Sequence, residues 1–192
     1  MLELNLHDLP DITTSRLLLR EQSLSDAPAL FGLRTNTEVM RYIDRPRPRE
    51  VSDSEAVIKS INENFHRGMN MIWAITLKEN PEQMIGNLGY WRTDLANHRA
   101  EIGYMLHPDY WRQGILSEAL TAVIDFGFNT MGLHSMCANI NPANDASRQL
   151  LLKHGFIKEA YFREDYYFDG KFLDSEIYGL LNMEMGTLLH LS

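Results

Sequence analysis

Residues 101–119 read EIGYMLHPDYWRQGILSEA, and the fold depends on how this stretch is parsed. Its first six residues alternate like a strand, with Glu101, Gly103 and Met105 on one face and Ile102, Tyr104 and Leu106 on the other. Pro108 interrupts the strand, and Asp109-Tyr110-Trp111-Arg112-Gln113-Gly114 forms a turn that opens onto a helix. From Gly114 the spacing is helical: Leu116, Leu120, Val123, Ile124 and Phe128 share a face, and Gly132 is placed to end it. A helix start leaves backbone N–H groups unpaired, which makes it a ready anion site. Glycine at 114 lets that backbone approach a phosphate closely, with Arg112 and Gln113 as polar side chains at the rim. One glycine before a helix is more often an ordinary turn, so the weight falls on what surrounds it.

Upstream, residues 71–77, a turn at Asn80-Pro81 and residues 84–91 read as strand, turn and strand, leading through a polar loop at 93–99 to the strand 100–106. Residues 13–21 (TTSRLLLRE) read as a first strand. Ser25-Asp26, with Pro28 following, starts a helix that runs to about Arg34. The loop 44–49 (DRPRPR) cannot continue a helix. Ser52-Asp53-Ser54-Glu55 reads as a capping box, followed by Val57, Ile58, Ile61 and Phe65 at helical spacing and Gly68 as the stop. Downstream come a strand at 135–141, a helix at 144–154 closed by Gly155, and aromatic strands at 157–168 and 172–181 around Asp169-Gly170. The order β-α-α-β-β-β-α-β-α-β-β predicts an α/β (α+β) fold: a mixed, mostly antiparallel central sheet of about seven strands with about four helices on its faces. Residues 1–181 are expected to form a single domain and 182–192 a tail.

The 26 acidic residues outnumber the 18 basic ones, giving a net charge of -8, and no basic stripe appears; a nucleic-acid partner is therefore not expected. Such a field attracts cations, which suits an amine substrate. No apolar run approaches the ~18–20 residues of a membrane span, so no membrane partner is expected either. The segment MLELNLHDLPDI carries three acids and lacks the basic start of a secretory leader. Cys137 is the only cysteine, which excludes an internal disulfide; these features together point to the cytoplasm. The histidines show no His-x-x-x-His pair and no Cys/His cluster, so no metal is expected. Cys137, beside Met136 in a strand, reads as a small buried hydrophobe, and no Gly-x-Ser-x-Gly turn is present. A homodimer is compatible with all of this.

The stretch 101–119 resembles the central motif of the GNAT acetyltransferases, most nearly the branch typified by ribosomal-protein N-terminal (Rim-type) acetyltransferases. Three further segments fit that branch in order: Ser15-Arg16-Leu17-Leu18-Leu19-Arg20; Ile85-Gly86 with Leu88-Gly89; and Asn141-Pro142-Ala143-Asn144-Asp145-Ala146-Ser147, ending in Lys153-His154-Gly155-Phe156. The similarity runs from Thr13 to Leu181. The turn departs from the usual Arg/Gln-x-x-Gly-x-Gly/Ala pattern. Trp111 stands first, Arg112 replaces a frequent glycine, and Leu116 stands where Gly or Ala is commoner and narrows the approach. Backbone donors survive such side-chain changes.

The resemblance implies acetyl-CoA as co-substrate. Its pyrophosphate would rest on the N–H groups of Arg112, Gln113, Gly114, Ile115, Leu116 and Ser117. The pantetheine would lie along the strand 100–106, bonded to backbone near Met105 and Leu106, where that strand splays from the next. Asn144 and Ser147 would face the coenzyme. Acetyl transfer needs a neutral amine, a held oxyanion and a stabilised thiolate. At neutral pH, deprotonating an α-amine requires roughly 1 kcal/mol and a lysine about 4–5, so a water-relayed base suffices for an N-terminus. Glu101 is the candidate base; alternatively it is a strand-edge acid paired with Arg99 or another cation. Glu164 and Asp165 are weaker candidates. Where many relatives carry a tyrosine on the helix after Asn144, this chain has Leu151, so the thiolate role passes to Ser147; Tyr166 and Tyr167 are alternatives, and Ser147 could also be a plain helix-surface serine.

The leading expectation is an acetyl-CoA-dependent N-acetyltransferase acting on a protein or peptide N-terminal amine by direct attack on the thioester. A small amine such as a polyamine or aminosugar is the second reading, and a non-catalytic acyl-CoA-binding domain the third. The first two divide at the acceptor cleft, expected between residues 34–67 and 161–171.

Overall fold

The computed structural model describes residues 8–183. Its frame is one sheet built from β1 (Ile12–Thr13), β2 (Leu17–Glu21), β3 (Met71–Leu77), β4 (Asn80–Asp94), β5 (Arg99–Leu106), β6 (Ser135–Ile140), β7 (Ile157–Phe168) and β8 (Lys171–Leu181). The strand order is β1-β2-β3-β4-β5-β6-β8-β7. Every neighbouring pair is antiparallel except β5–β6. A parallel pair needs a crossover, and the helix α3 (Ile115–Asp125) supplies it. The remaining helices are α1 (Ala27–Thr35), α2 (Val51–His66) and α4 (Asp145–Lys153). The mixed, mostly antiparallel sheet with four helices is the architecture expected.

Four local expectations are corrected. Residues 13–21 are not one strand: the chain reverses between Thr13 and Leu17, so β1 pairs back on β2 and the sheet has eight strands. Thr14 Oγ1 accepts from the Leu17 amide at 3.0 Å while donating to Glu118 at 2.6 Å, a long-range pull that strand alternation cannot show. The cap of α2 lies earlier than Ser52. Asp53 accepts from the Arg49 and Glu50 amides at 2.7 and 3.3 Å, which places Ser52 inside the first turn. The β3–β4 turn falls at Lys78-Glu79 and not at Asn80-Pro81, and β4 reaches Asp94. The inner face of α3 is Ile115, Ala119, Leu120 and Val123, rotated from the expected face so that Leu116 and Ile124 are only partly buried. The tail assigned to 182–192 lies, beyond 183, outside the described residues.

The two faces of the sheet bury separate cores. On one, α3 and Leu151 of α4 cover Leu88, Tyr90, Ile102 and Leu106. On the other, Leu30 and Leu33 of α1 and Ile58 of α2 pack with Ala74, Met84 and Met105. Each such side chain contributes about 1.5–3 kcal/mol on full burial. Consequently β5 is clamped from both sides, as its alternation requires. The start of α1 is fixed to β2 by a two-point ion pair in which both guanidinium nitrogens of Arg20 reach buried Asp26 at 2.8 Å. Among the described residues no helix is long and apolar enough to cross a membrane.

Candidate active site

Strands β5 and β6 pair only at Arg99↔Ser135, Ala100↔Met136 and Glu101↔Cys137. Past Glu101 the two strands part, while β6 continues on β8 as far as Ile140↔Glu176. The edge of β5 from Ile102 to Leu106 therefore faces β6 without a ladder. Such an edge offers backbone donors and acceptors to an extended ligand in the manner of an added strand. A cleft of about 1340 Å³ opens at the parting. It passes through the sheet, so residues from both faces of β5 reach it: Glu101 and Gly103 from one, Ile102 and Tyr104 from the other.

At the C-terminal end of β5 the chain makes a short 3-10 turn over Pro108–Tyr110 and then enters α3 through two left-handed residues, Arg112 (φ 59°) and Gly114 (φ 77°). For Arg112 that conformation costs roughly 1–2 kcal/mol, whereas Gly114 adopts it freely. Arg16, from the turn between β1 and β2, braces the loop. Its Nη1 donates to the Gln113 carbonyl at 3.0 Å and its Nε to Glu118 at 2.7 Å, while the Arg16 amide donates to the other Glu118 oxygen at 2.8 Å. The Ser15–Arg20 motif thus has two structural tasks, holding the α3 turn through Arg16 and the α1 start through Arg20.

The expected phosphate-site residues fall together at this turn, but several side chains are already engaged. Gln113 Nε2 folds back onto the Asp109 carbonyl at 2.6 Å, closing the turn and leaving the rim. Ser117 Oγ lies 3.0 Å from His154 Nε2, tying the first turn of α3 to the end of α4. Trp111 Nε1 donates to the Leu106 carbonyl at 2.8 Å, so one acceptor expected to be open on β5 has a partner, and the unusual tryptophan anchors the turn. Leu116 both lines the cleft and packs partly on the core. Arg112 and Lys153 are the cations lining the cleft here. Among the described residues no group of His, Cys, Asp and Glu could hold a metal ion.

Ser147 sits in the first turn of α4, its amide donating at 3.1 Å to the side chain of Asn144, which caps that helix. Ser147 is buried, not a helix-surface serine, and its Oγ lies 2.7 Å from the Tyr104 hydroxyl. Burial pushes the Tyr104 phenol up to about 12, against the opposing hydrogen bond to Ser147. The alternation places Tyr104 on the correct face of β5 but not its contact with Ser147, because nothing local says that α4 packs over that face.

Glu101 projects from the other face. A bulge at Trp91, between the register pairs Tyr90↔Ile102 and Arg92↔Glu101, brings Arg92 opposite it. The partner of Glu101 is therefore Arg92, at 3.2 Å, and not Arg99. The same bulge lays the Trp91 indole over Gly103, where a β-carbon would come within 2.5 Å of Trp91 Cδ1, so any larger residue there has to displace the indole. Tyr166 donates to Asp44, joining the 44–49 loop to β7 across the cleft, and both residues line it. Asp165 accepts from Ser175 at 2.8 Å, and Glu164 lies away from the cleft with its amide on Asp174 at 2.8 Å. Cys137 is half-buried, and burial raises its thiol above the ordinary range.

A family described as acetyltransferase (GNAT) domain matches residues 16–157. The chain belongs to the GNAT acetyltransferase family. It is an N-acetyltransferase, an acyltransferase in reaction class. It is 33% identical over 172 residues to the N-acetyltransferase YoaA of Bacillus subtilis, covering 90% of this chain and 97% of that protein. It is 29% identical over 121 residues to the [ribosomal protein uS5]-alanine N-acetyltransferase of Escherichia coli, 62% of each chain. The structure of Mycobacterium smegmatis RimJ in complex with CoA-disulfide shares the fold with a TM-score of 0.82 at 21% identity, over 92% of this chain and 90% of that one. In this GNAT enzyme, then, the parted strands, the braced turn and the Tyr104–Ser147 pair stand around one cleft.

Proposed function

We propose that the enzyme transfers the acetyl group of acetyl-CoA to the α-amine of a protein or peptide N-terminus by direct attack on the thioester. The observation that carries this is the parting of β5 and β6. It opens a backbone edge at Ile102–Leu106 and lets Glu101 and the Tyr104–Ser147 pair reach one cleft from opposite faces of the sheet. The chain suits the co-substrate. The edge fits an extended pantetheine, and the N–H groups of 112–117, presented by a left-handed glycine turn, fit a pyrophosphate beside Arg112 and Lys153. Asn144, which caps α4, lines the same cleft.

Glu101 receives the amine proton through water as the new C–N bond forms. A β5 amide near Met105 donates to the developing oxyanion. The Tyr104–Ser147 pair hydrogen-bonds the departing sulfur as the C–S bond breaks. An α-amine is neutral at a cost of about 1 kcal/mol at pH 7, within reach of a half-buried carboxylate relaying through water; a lysine at about 4–5 kcal/mol asks for more. The similarity to a [ribosomal protein uS5]-alanine N-acetyltransferase supports a protein acceptor.

The test is acetyl-CoA turnover with a panel of N-terminal peptides, their N-blocked counterparts bearing internal lysines, and small amines. Free N-termini are expected to be turned over with the highest kcat/KM. Turnover of polyamines or aminosugars with inert peptides would assign the acceptor to the small-amine class.

A further inference from the structure

Three guanidiniums, those of Arg34, Arg41 and Arg45, line the cleft at its α1 end; Arg41 lies over the Tyr42 ring, 5.2 Å from its centroid, which leaves Arg34 and Arg45. Arg34 lies in the last turn of α1 and is half-buried; Arg45 belongs to the loop that Tyr166 holds through Asp44. Among the described residues neither has a carboxylate at ion-pairing distance. Arg34 donates to the Pro46 carbonyl at 3.0 Å. Burial, followed by the charge of Arg45, pulls its guanidinium below the ordinary value. The acids nearby form no ion pair with either: Asp44 accepts from the Tyr166 phenol, and Glu38 lines the cleft without reaching an arginine.

Two like charges side by side, one of them partly desolvated, repel each other unless an anion joins them. This chain carries eight more acids than bases, yet among the described residues none stands at ion-pairing distance from Arg34 or Arg45. Guanidinium forks match carboxylates in a two-point geometry, which a lysine pair would not. The arrangement is bipolar. Glu101 supplies negative charge where the amine is expected, and Arg34 with Arg45 supplies positive charge elsewhere in the same cleft.

We propose that Arg34 and Arg45 form an anion subsite for the acceptor, selecting amines that carry a carboxylate nearby; on the peptide reading given above, these are N-termini with Asp or Glu within the first few residues.

The experiment compares kcat/KM within matched pairs: peptides identical except for Glu against Gln at the second or third residue, and an amino acid against its amide. Wild type, Arg34→Gln, Arg45→Gln and the double variant are assayed, with coenzyme A affinity measured by calorimetry. The wild type is expected to favour the anionic member by roughly tenfold or more, the factor that ~1.4 kcal/mol gives. That ratio should fall towards one in the double variant and at raised ionic strength, with coenzyme A affinity retained. Because the ratio is internal to each protein, general damage by a substitution cancels. Anionic preference confined to the amino acid, with peptides inert, would uphold the subsite and remove the peptide reading. A wild-type ratio near one in both pairs overturns the subsite, as does a ratio that survives in the double variant. Loss of coenzyme A affinity with the ratio intact also overturns it, because the guanidiniums would then hold co-substrate phosphates.

Discussion

The Tyr104 hydroxyl lies 2.7 Å from Ser147 Oγ, joining β5 to the first turn of α4 at the wall of the cleft. Proton transfer from this phenol, raised to about 12, to a thiolate of pKa about 8.5 would be uphill by roughly 5 kcal/mol. On the proposed mechanism the pair would therefore stabilise a departing sulfur by donating a hydrogen bond, with the phenol keeping its proton. Tyr104→Phe and Ser147→Ala should each lower kcat by about ten- to hundredfold with little change in acetyl-CoA affinity. The double variant should lose no more than the worse single one, as members of one unit do. Because Tyr104 stays protonated until pH rises towards 12, its removal should leave the shape of the kcat–pH profile between pH 6 and 10 unchanged. Loss of a limb in that interval on Tyr104→Phe would show the phenol to be the titrating acid.

Glu101 is both a candidate base and half of an exposed pair with Arg92. The two roles separate by substitution. Arg92→Ala removes only a surface ion pair, worth about 0–1 kcal/mol, and should change stability and kcat little. Glu101→Gln should preserve the fold and acetyl-CoA affinity while reducing kcat by roughly ten- to a thousandfold. That deficit should shrink as pH rises, because an amine that is already neutral needs no base. Steady-state rates across pH 6–9 decide the matter: a glutamine variant with wild-type turnover would leave Glu101 with the pair alone.

Gly114 starts α3 at φ 77°, and a β-carbon there would meet Arg16 Nη2 only at 3.5 Å, an ordinary contact. Its constraint is conformational, about 1–2 kcal/mol for a non-glycine residue, with closeness to the ligand added for a large side chain. Gly114→Ala should weaken coenzyme A modestly and Gly114→Val by well over tenfold, read by calorimetry. Equal, unchanged affinities would move the phosphate site away from this turn.

Glu118 receives three hydrogen bonds from the β1–β2 turn. Burial alone would raise its carboxyl, but the Thr14 hydroxyl and the Arg16 amide and guanidinium outweigh this and hold it below the ordinary 4.5. A depressed carboxylate contributes stability above its unfolded pKa and loses it as pH falls through the folded value. Glu118→Gln should therefore melt about 2–4 °C below wild type at pH 7. The gap should close on acidification below the ordinary carboxylate range. A gap that persists in acid would mean that the clamp acts through packing and not through charge.

The cleft was legible in outline because its parts lie close together in the chain. The alternation of 101–106, the break at Pro108 and the glycine before a helical run are local signals, and each sits where expected. The left-handed turn before α3 needs only backbone geometry, so Trp111 and Leu116 in place of the usual side chains did not hide it. The long-range side-chain contacts at the cleft were less legible. Ser147 was picked out as a residue, but its partner Tyr104 stands 43 positions away, and Tyr166 finds Asp44 across 122. Arg92, not Arg99, faces Glu101 because a bulge at Trp91 shifts the register by one residue, which hydrophobic patterning through 84–91 does not reveal.

By itself the sequence determined the order of elements, the mixed sheet and the glycine turn that opens α3, because helix and strand periods and backbone freedom are short-range properties. Tertiary structure alone decided where β5 and β6 part, which hydroxyl meets Ser147, and that the Arg16–Glu118 clamp splits the first strand in two. Those outcomes depend on which faces bury each other and which buried polar groups must find partners, and both are settled only when distant segments pack.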